Sequence, residues 1–285
     1  HRPLNHLSTP PPLTRPAERG SSDFSLASFT FDAPPTPDDL LLQTGGFGRF
    51  QHRVLAAAGA AYGLCAVPAL APVFLVPAIA EAWDASRTQQ DLVSSAFFAG
   101  YFVGLATLAS AADRVGRRPI ILLSVVAMFA TTLATFLAPN YPVLISLRAL
   151  SGVFTGAAFN TITVLLVELA IPERRAVVKA VLGCCWPVGA AFFVAVAWLV
   201  RGVSWRWMGV AAAAYVPVAV VLLLRLPESP RFLFLQRRVA ELHELLVRMA
   251  EENDVTYLYP MEHLEKNIPG GGAAAVDSHE APPKP

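Results

Sequence analysis

The sequence predicts an all-α protein, a polytopic membrane bundle of six transmembrane helices, and three observations carry that prediction. Hydrophobic residues make up 54% of the chain and charged residues 15%, with a mean hydropathy of +0.49, too apolar for a soluble domain of this length. The apolar residues gather into stretches long enough to cross a hydrocarbon core of about 30 Å, which takes roughly 20 helical residues. The basic residues fall in the short connections between those stretches, mostly on one side.

The stretches run over residues 54–80, 92–112, 120–138, 143–169, 177–200 and 207–226. The first begins too far from residue 1, and is too long, for a cleavable leader, and no small-residue cleavage pattern closes it. Arg49, Arg53, Arg114, Arg117, Arg118, Arg174, Arg175, Lys179, Arg231, Arg237 and Arg238 lie on one side of the predicted bundle. Only Arg87, Arg201 and Arg206 lie on the other. Positively charged loops stay in the cytoplasm, so both termini are predicted there.

The flanks are different material. Residues 1–44 open on a Pro-, Ser- and Thr-rich segment that reads as disordered and cytoplasmic. Near its end, Thr36-Pro37-Asp38-Asp39 supplies a capping hydroxyl, a first-turn proline and two carboxylates ahead of three leucines, which predicts a short juxtamembrane helix. Residues 45–235 form the spanning region. Within 236–254, Leu242, Leu245, Leu246 and Met249 recur at helical spacing among charged residues, predicting an amphipathic cytoplasmic helix. Residues 255–285 pass through Gly270-Gly271-Gly272 and read as a flexible tail cut from a longer central loop. With His at residue 1 and no seventh apolar stretch, the expectation is a processed form, a fragment or an incomplete gene product.

Composition excludes several classes. A net charge of +1 with dispersed basic residues gives no surface for nucleic acid. Cys65, Cys184 and Cys185 all lie in apolar stretches and supply no disulfide framework. The chain lacks a His-Glu-x-x-His metal motif, a nucleophile elbow and a phosphate loop, so no enzyme, catalytic residue, metal or cofactor is expected. No aspartate or histidine falls within an apolar stretch, which leaves a proton relay without an obvious carrier.

Several residues invite a functional reading. Residues 113–119, Asp-Arg-Val-Gly-Arg-Arg-Pro, form a tight basic turn between the second and third stretches. Asp113 is expected where a helix begins, its carboxylate on free backbone N–H groups. Spacing alone makes this loop equally a topology anchor and a gate. Arg148 sits inside the fourth stretch, where an arginine at helix centre costs about 2.5–3.5 kcal/mol. The Leu, Ile, Val and Phe residues of that stretch contribute about 0.3–0.6 kcal/mol each and outweigh it. Arg148 either reaches outward to headgroups or faces a solute path, and the second is preferred because intramembrane charges usually face a cavity. Gly152 and Gly156 form a small-residue face for helix packing. Asn160, in the same stretch, either bonds a neighbouring helix or lines the path. Pro68, Pro72 and Pro77, and Pro187 in the fifth stretch, predict kinks.

The loop at 113–118 resembles the signature loop of the major facilitator superfamily. Four further motifs fall where that family places them. They are Arg148 with Gly152, Glu168 with Arg175, Trp205-Arg206-Trp207, and Pro227-Glu228-Ser229-Pro230-Arg231. Together with Gly46-Phe47-Gly48-Arg49-Phe50-Gln51 these are similar to the organic-ion and synaptic-vesicle-protein-related branch, whose vesicle-protein side is favoured by a short first outer loop. The resemblance departs at Ala109, where the family usually has glycine, and at Cys65 and Pro68, near places where related carriers often have acidic residues.

The resemblance implies the amino-terminal half of a twelve-helix carrier, built as three plus three inverted helices. It implies transport of a small organic solute, an organic ion or carboxylate, by alternating access, with the lipid bilayer and a second six-helix half as partners. It makes the 113–119 loop a gate and assigns Asp113, Arg114, Gly116, Arg117, Arg118, Glu168, Arg174, Arg175, Glu228 and Arg231 to a cytoplasmic charge network. Arg148 and Asn160 become solute-cavity candidates. The competing reading is a receptor, scaffold or degenerate half-carrier that does not transport.

Overall fold

The structure, a computed structural model, describes residues 36–199, 223–257 and 259–267, with isolated positions between 206 and 221. The segment before Thr36, most of the sixth predicted span and the glycine triplet lie outside the described residues. Among the described residues every regular element is helical. Five helical stretches there are long and apolar enough to cross a membrane: Arg49–Trp83, Arg87–Val115, Arg117–Phe136, Tyr141–Glu168 and Pro172–Leu199. They are called spans 1 to 5 below.

A short helix, α1 (Pro37–Gln43), precedes the bundle. Its first turn is closed reciprocally, with Thr36 Oγ1 accepting from the Asp39 amide and Asp39 accepting from the Thr36 amide at 2.9 Å. Thr36's hydroxyl and amide hold the Asp39 carboxyl below the usual carboxylate range, because both donors favour its charged form. Leu40 and Leu41 are buried.

Span 1 is three helices end to end, α2 (Arg49–Leu64), α3 (Ala66–Leu70) and α4 (Pro72–Trp83). Pro68 and Pro72 each remove one backbone donor from the ladder, and the span divides just before them, at Cys65 and at Ala71. Span 2 divides at Thr107, between α5 (Arg87–Ala106) and α6 (Leu108–Val115). Spans 3 and 4 are the unbroken α7 (Arg117–Phe136) and α8 (Tyr141–Glu168), and span 5 is α9 (Arg175–Leu199), entered through a 3₁₀ turn at Pro172–Arg174. After the sixth predicted span come α10 (Pro230–Leu235), α11 (Val239–Glu252) and α12 (Met261–Asn267).

The helices overrun the apolar stretches because their ends are polar but well capped. Ser86 and Gln89 close a capping box at the start of α5, and Asn140 accepts from the Val143 amide at the start of α8. The expectation that no aspartate or histidine falls in a span is thereby corrected. The apolar stretches themselves hold neither residue type, but the longer helices take in His52 in span 1 and Asp91 and Asp113 in span 2, all near span ends.

α8 is the hub of the bundle, packed along α5 and α7, while α2 lies along α9. The α5–α8 crossing is made by glycine on both sides. A Cβ on Gly100 or Gly104 would run into the backbone of Ala149 or Val153, and one on Gly152 or Gly156 into that of Phe97 or Tyr101. Lipid offers little hydrophobic drive for helix association, so close backbone approach through small residues is what holds such a pair. The buried apolar residues form two clusters. One joins spans 1, 3, 4 and 5 to α1, α10 and α11, and the other fills the opposite end around Leu75, Phe136, Leu144 and Phe193.

Candidate functional site

Two buried arginines organise the bundle, and both touch α8. Arg148 is on it, and Arg117 pairs with Glu168 at its end. Those two α8 positions are twenty residues apart (168 − 148), about 30 Å at 1.5 Å per residue.

Arg148 is fully buried, so its side chain does not reach outward to headgroups. Nη1 donates to the Pro68 carbonyl of span 1 at 2.7 Å and Nε to the Val93 carbonyl of span 2 at 3.3 Å. The guanidinium lies over the Phe97 ring, 4.5 Å from its centroid. Nη2 is buried without a hydrogen-bond partner among the described residues. The charge is thus met by carbonyl dipoles and an aromatic face, with no carboxylate in ion-pair range among those residues, and one donor group is unused. Asn160, three turns further along α8, is half-buried, and its side chain makes no hydrogen bond among the described residues.

Arg117 stands in the opposite condition. Its side chain is 8% exposed and pairs with Glu168, itself 10% exposed, at 3.1 Å, and with Asp113 at 2.8 Å. Nη1 donates to the Ala112 carbonyl and the guanidinium lies over Phe232. Two expectations are corrected here. Asp113 is not at a helix start but in the last turn of α6, one turn before Arg117. Glu168 does not pair with Arg175; Arg117 reaches it first because the 113–119 turn folds back over the end of α8.

The cap expected of Asp113 comes from Glu228 instead. Its carboxylate accepts from the Arg117 amide at 2.8 Å and the Arg118 amide at 3.2 Å, the first free donors of α7. Gly116 makes this possible. It adopts φ +112°, and a Cβ there would come within 2.6 Å of Glu228 Oε2. Arg118 also donates through Nη2 to the Leu224 carbonyl at 2.8 Å, and Ser229 caps α10.

Arg175 closes α8 in another way, donating to the carbonyls of Val167 and Ala170 and pairing with Asp38 of α1. The structure therefore joins Asp113, Gly116, Arg117, Arg118, Glu168 and Glu228 in one cluster and places Arg175 in a second one. Arg114, Arg174 and Arg231 are exposed and make no ion pair among the described residues.

Sequence reading missed two contributors, the glycines of span 2 and Asn253, and read Pro68 and Pro72 as kinks without the side chain that meets them. Gly100 and Gly104 repeat the spacing of Gly152 and Gly156 and were legible as their counterpart. Pro68 and Pro72, four apart, mark a carbonyl without its helical donor. Asn253 carried no signal, since its work is long-range. It accepts from the Phe50 amide at 3.0 Å and donates to the Thr44 carbonyl at 2.8 Å, tying the end of α11 to the start of span 1, while Arg53 pairs with Glu252. No cluster of three His, Cys, Asp or Glu side chains suited to a metal occurs among the described residues.

Against this geometry, residues 54–251 match the family model described as the Major Facilitator Superfamily. Organic cation/carnitine transporter 7 of Arabidopsis thaliana is 34% identical over 221 residues, covering 76% of this chain and 43% of the relative. The 4-hydroxybenzoate transporter PcaK of Acinetobacter baylyi is 25% identical, covering 84% of this chain and 52% of the relative. The chain thus spans about half the length of the curated relatives it matches. Among solved structures, the xylose transporter XylE from E. coli in a partially occluded inward-open conformation superimposes with a TM-score of 0.65 at 14% identity. It covers 81% of this chain and 60% of the other, a likeness of fold.

Proposed function

From the premise that the chain belongs to the Major Facilitator Superfamily, and is an all-helical, multi-pass integral membrane protein, we propose that it is the amino-terminal half of a carrier. That carrier moves a small carboxylate-bearing organic solute by alternating access. In this reading residues 207–226 form a sixth span, both termini and α10 to α12 are cytoplasmic, and a second six-helix half supplies the other wall of the cavity. The amino-terminal segment with its juxtamembrane helix, the spanning region, the amphipathic helix and the carboxy-terminal segment keep the boundaries 1–44, 45–235, 236–254 and 255–285.

The single observation supporting the anionic solute is Arg148, a buried guanidinium with no carboxylate partner and a free Nη2. A cation compensated only by dipoles in a low-dielectric site gains most from an incoming negative group. The free amide of Asn160 is the second candidate contact. The cluster around Arg117 is the proposed cytoplasmic gate, in which Asp113 and Glu168 hold the turn between spans 2 and 3 against the end of span 4. The relatives' names divide on this point, one being named for 4-hydroxybenzoate, a carboxylate, and the other for organic cations and carnitine, and Arg148 favours the first.

The test is uptake by the complete carrier in liposomes, with 4-hydroxybenzoate and tetraethylammonium as anionic and cationic probes. Arg148→Ala is expected to abolish anion uptake selectively. Flux that is unaffected by the substitution removes Arg148 from the solute site, and preferential uptake of the cation overturns the carboxylate class.

A further inference from the structure

We propose that Arg148 is also a positioning residue: it repairs the backbone of span 1 at its proline break and so fixes the direction in which α4 leaves α3. This stands independently of which solute is carried, although both readings use the same side chain.

In an α-helix the carbonyl of residue 68 receives its hydrogen bond from the amide of residue 72. Residue 72 is proline and has no N–H, so the Pro68 carbonyl is left without its partner inside a membrane bundle, where water does not replace it. The amides of Ala71, Phe74 and Leu75 are engaged elsewhere. The Ala71 amide bonds the Val67 carbonyl and the Leu75 amide bonds the Ala71 carbonyl, both at 3.0 Å. These bonds carry the backbone past the break without reaching the Pro68 carbonyl, and Arg148 Nη1 donates to it at 2.7 Å, the shorter of its two hydrogen bonds.

The repair is also a tie. Through Nε the same guanidinium holds the Val93 carbonyl of span 2, so a single side chain of span 4 joins the break in span 1 to the first turns of span 2. Val67, Ala71 and Leu75, which flank the break, are buried. The break is therefore fixed between protein surfaces, and any rearrangement of residues 68–72 that turns the Pro68 carbonyl away from span 4 has to part it from Arg148, so the start of α4 at Pro72 is set by where that carbonyl is held.

Because the defect lies in a missing N–H, restoring that N–H should relieve the need for the arginine. In the complete carrier, purified in detergent, Arg148→Leu is expected to lower the melting midpoint by roughly 5 °C, the scale of losing one or two kcal/mol in a domain of this size. Adding Pro72→Ala to Arg148→Leu should recover most of that loss, whereas Pro72→Ala alone should change little. Arg148→Lys, which keeps one donor, should fall between Arg148→Leu and the parent.

A readout of position accompanies these. In a background with the native cysteines replaced, Val73→Cys places a thiol in the exposed first turn of α4. Its maleimide labelling rate is expected to change at least about threefold with Arg148→Leu and to return with Pro72→Ala. If Arg148→Leu yields no protein, the comparison of Arg148→Lys with and without Pro72→Ala decides by the same criteria.

Equal melting with and without Pro72→Ala in the Arg148→Leu background overturns the proposal, as does labelling that Pro72→Ala fails to restore. Recovery of melting and labelling while 4-hydroxybenzoate uptake stays lost supports both the backbone role and the solute contact. Recovery of uptake as well leaves the backbone role standing and removes the solute contact.

Discussion

Arg117 and Arg148 carry the same side chain, both are buried, and they differ in what surrounds the charge. Arg117 meets two carboxylates, a backbone carbonyl and an aromatic face, and each of its guanidinium nitrogens has a bond. Arg148 meets two carbonyls and an aromatic face, and keeps one nitrogen idle. Burial therefore says little about an arginine's role in this bundle; the bookkeeping of its partners says more. A guanidinium neutralised on all sides has no donor left to offer, whereas one compensated only by dipoles keeps a donor and a charge for the anion contact proposed for Arg148.

The largest effect that can break this comparison is at Glu168. Its replacement by alanine leaves Arg117 buried beside only the exposed Asp113, and removing one partner of a buried pair costs about 3–5 kcal/mol. Thermal unfolding of the purified protein should drop accordingly. Because the penalty comes from the stranded charge, adding Arg117→Met should return much of it. A cost for Glu168→Ala below about 1 kcal/mol means that Arg117 is not held by its ion pairs, and the contrast with Arg148 collapses.

The Arg148 side depends on how closely spans 2 and 4 approach, since Val93 and Phe97 reach the guanidinium from α5. Gly152→Ala pushes a methyl into the Phe97 carbonyl, and overpacking of this kind costs about 1–3 kcal/mol. Gly183 in span 5 has nothing within 4 Å of an added Cβ. Gly183→Ala should therefore be neutral or stabilise by up to about 1 kcal/mol. Equal effects of the two substitutions on the unfolding midpoint would show that the crossing does not rest on its glycines.

The fold was largely legible in the sequence because a membrane span is a local signal. A run of some twenty apolar residues declares itself without knowledge of its neighbours, and the five described spans each contain most of the stretch that predicts them. The site was legible by residue type but not by partner. Asp113, Arg117, Glu168 and Glu228 were all identifiable, yet the motif resemblance set Glu168 with Arg175. The actual partner, Arg117, is brought in by a turn fifty-one positions away. Asp113 was read as a cap from the proline that follows it, whereas α6 ends after it and α7 takes its cap from Glu228. Such choices depend on which acceptor arrives in three dimensions, and no local pattern encodes that.

Glu228 offers an intermediate test. Its carboxylate caps α7 from more than a hundred residues away, and loss of a cap costs about 0.5–2 kcal/mol. Glu228→Ala should lower the unfolding midpoint by less than Glu168→Ala does, because it frees backbone amides at the bundle end and leaves the Arg117 ion pairs in place. A loss as large as that at Glu168 would place Glu228 inside the charge balance of Arg117, making the two carboxylates one unit.

The smallest effect, at Asp113, separates holding from gating. The Asp113 side chain is 70% exposed although it lies 2.8 Å from Arg117, and exposed pairs are worth about 0–1 kcal/mol. Asparagine keeps an oxygen that can accept from Nη2, and Glu168 still balances the guanidinium, so Asp113→Asn should barely move the unfolding midpoint. Its removal of charge matters only if the turn between spans 2 and 3 changes partners during transport. In that case the conformational equilibrium shifts, and a cysteine lining the inner cavity of the complete carrier should change its labelling rate at unchanged stability. If labelling stays the same, Asp113 is an anchor beside a structural knot, and the gate has to be sought in Arg117 and Glu168, whose loss disturbs stability and conformation together.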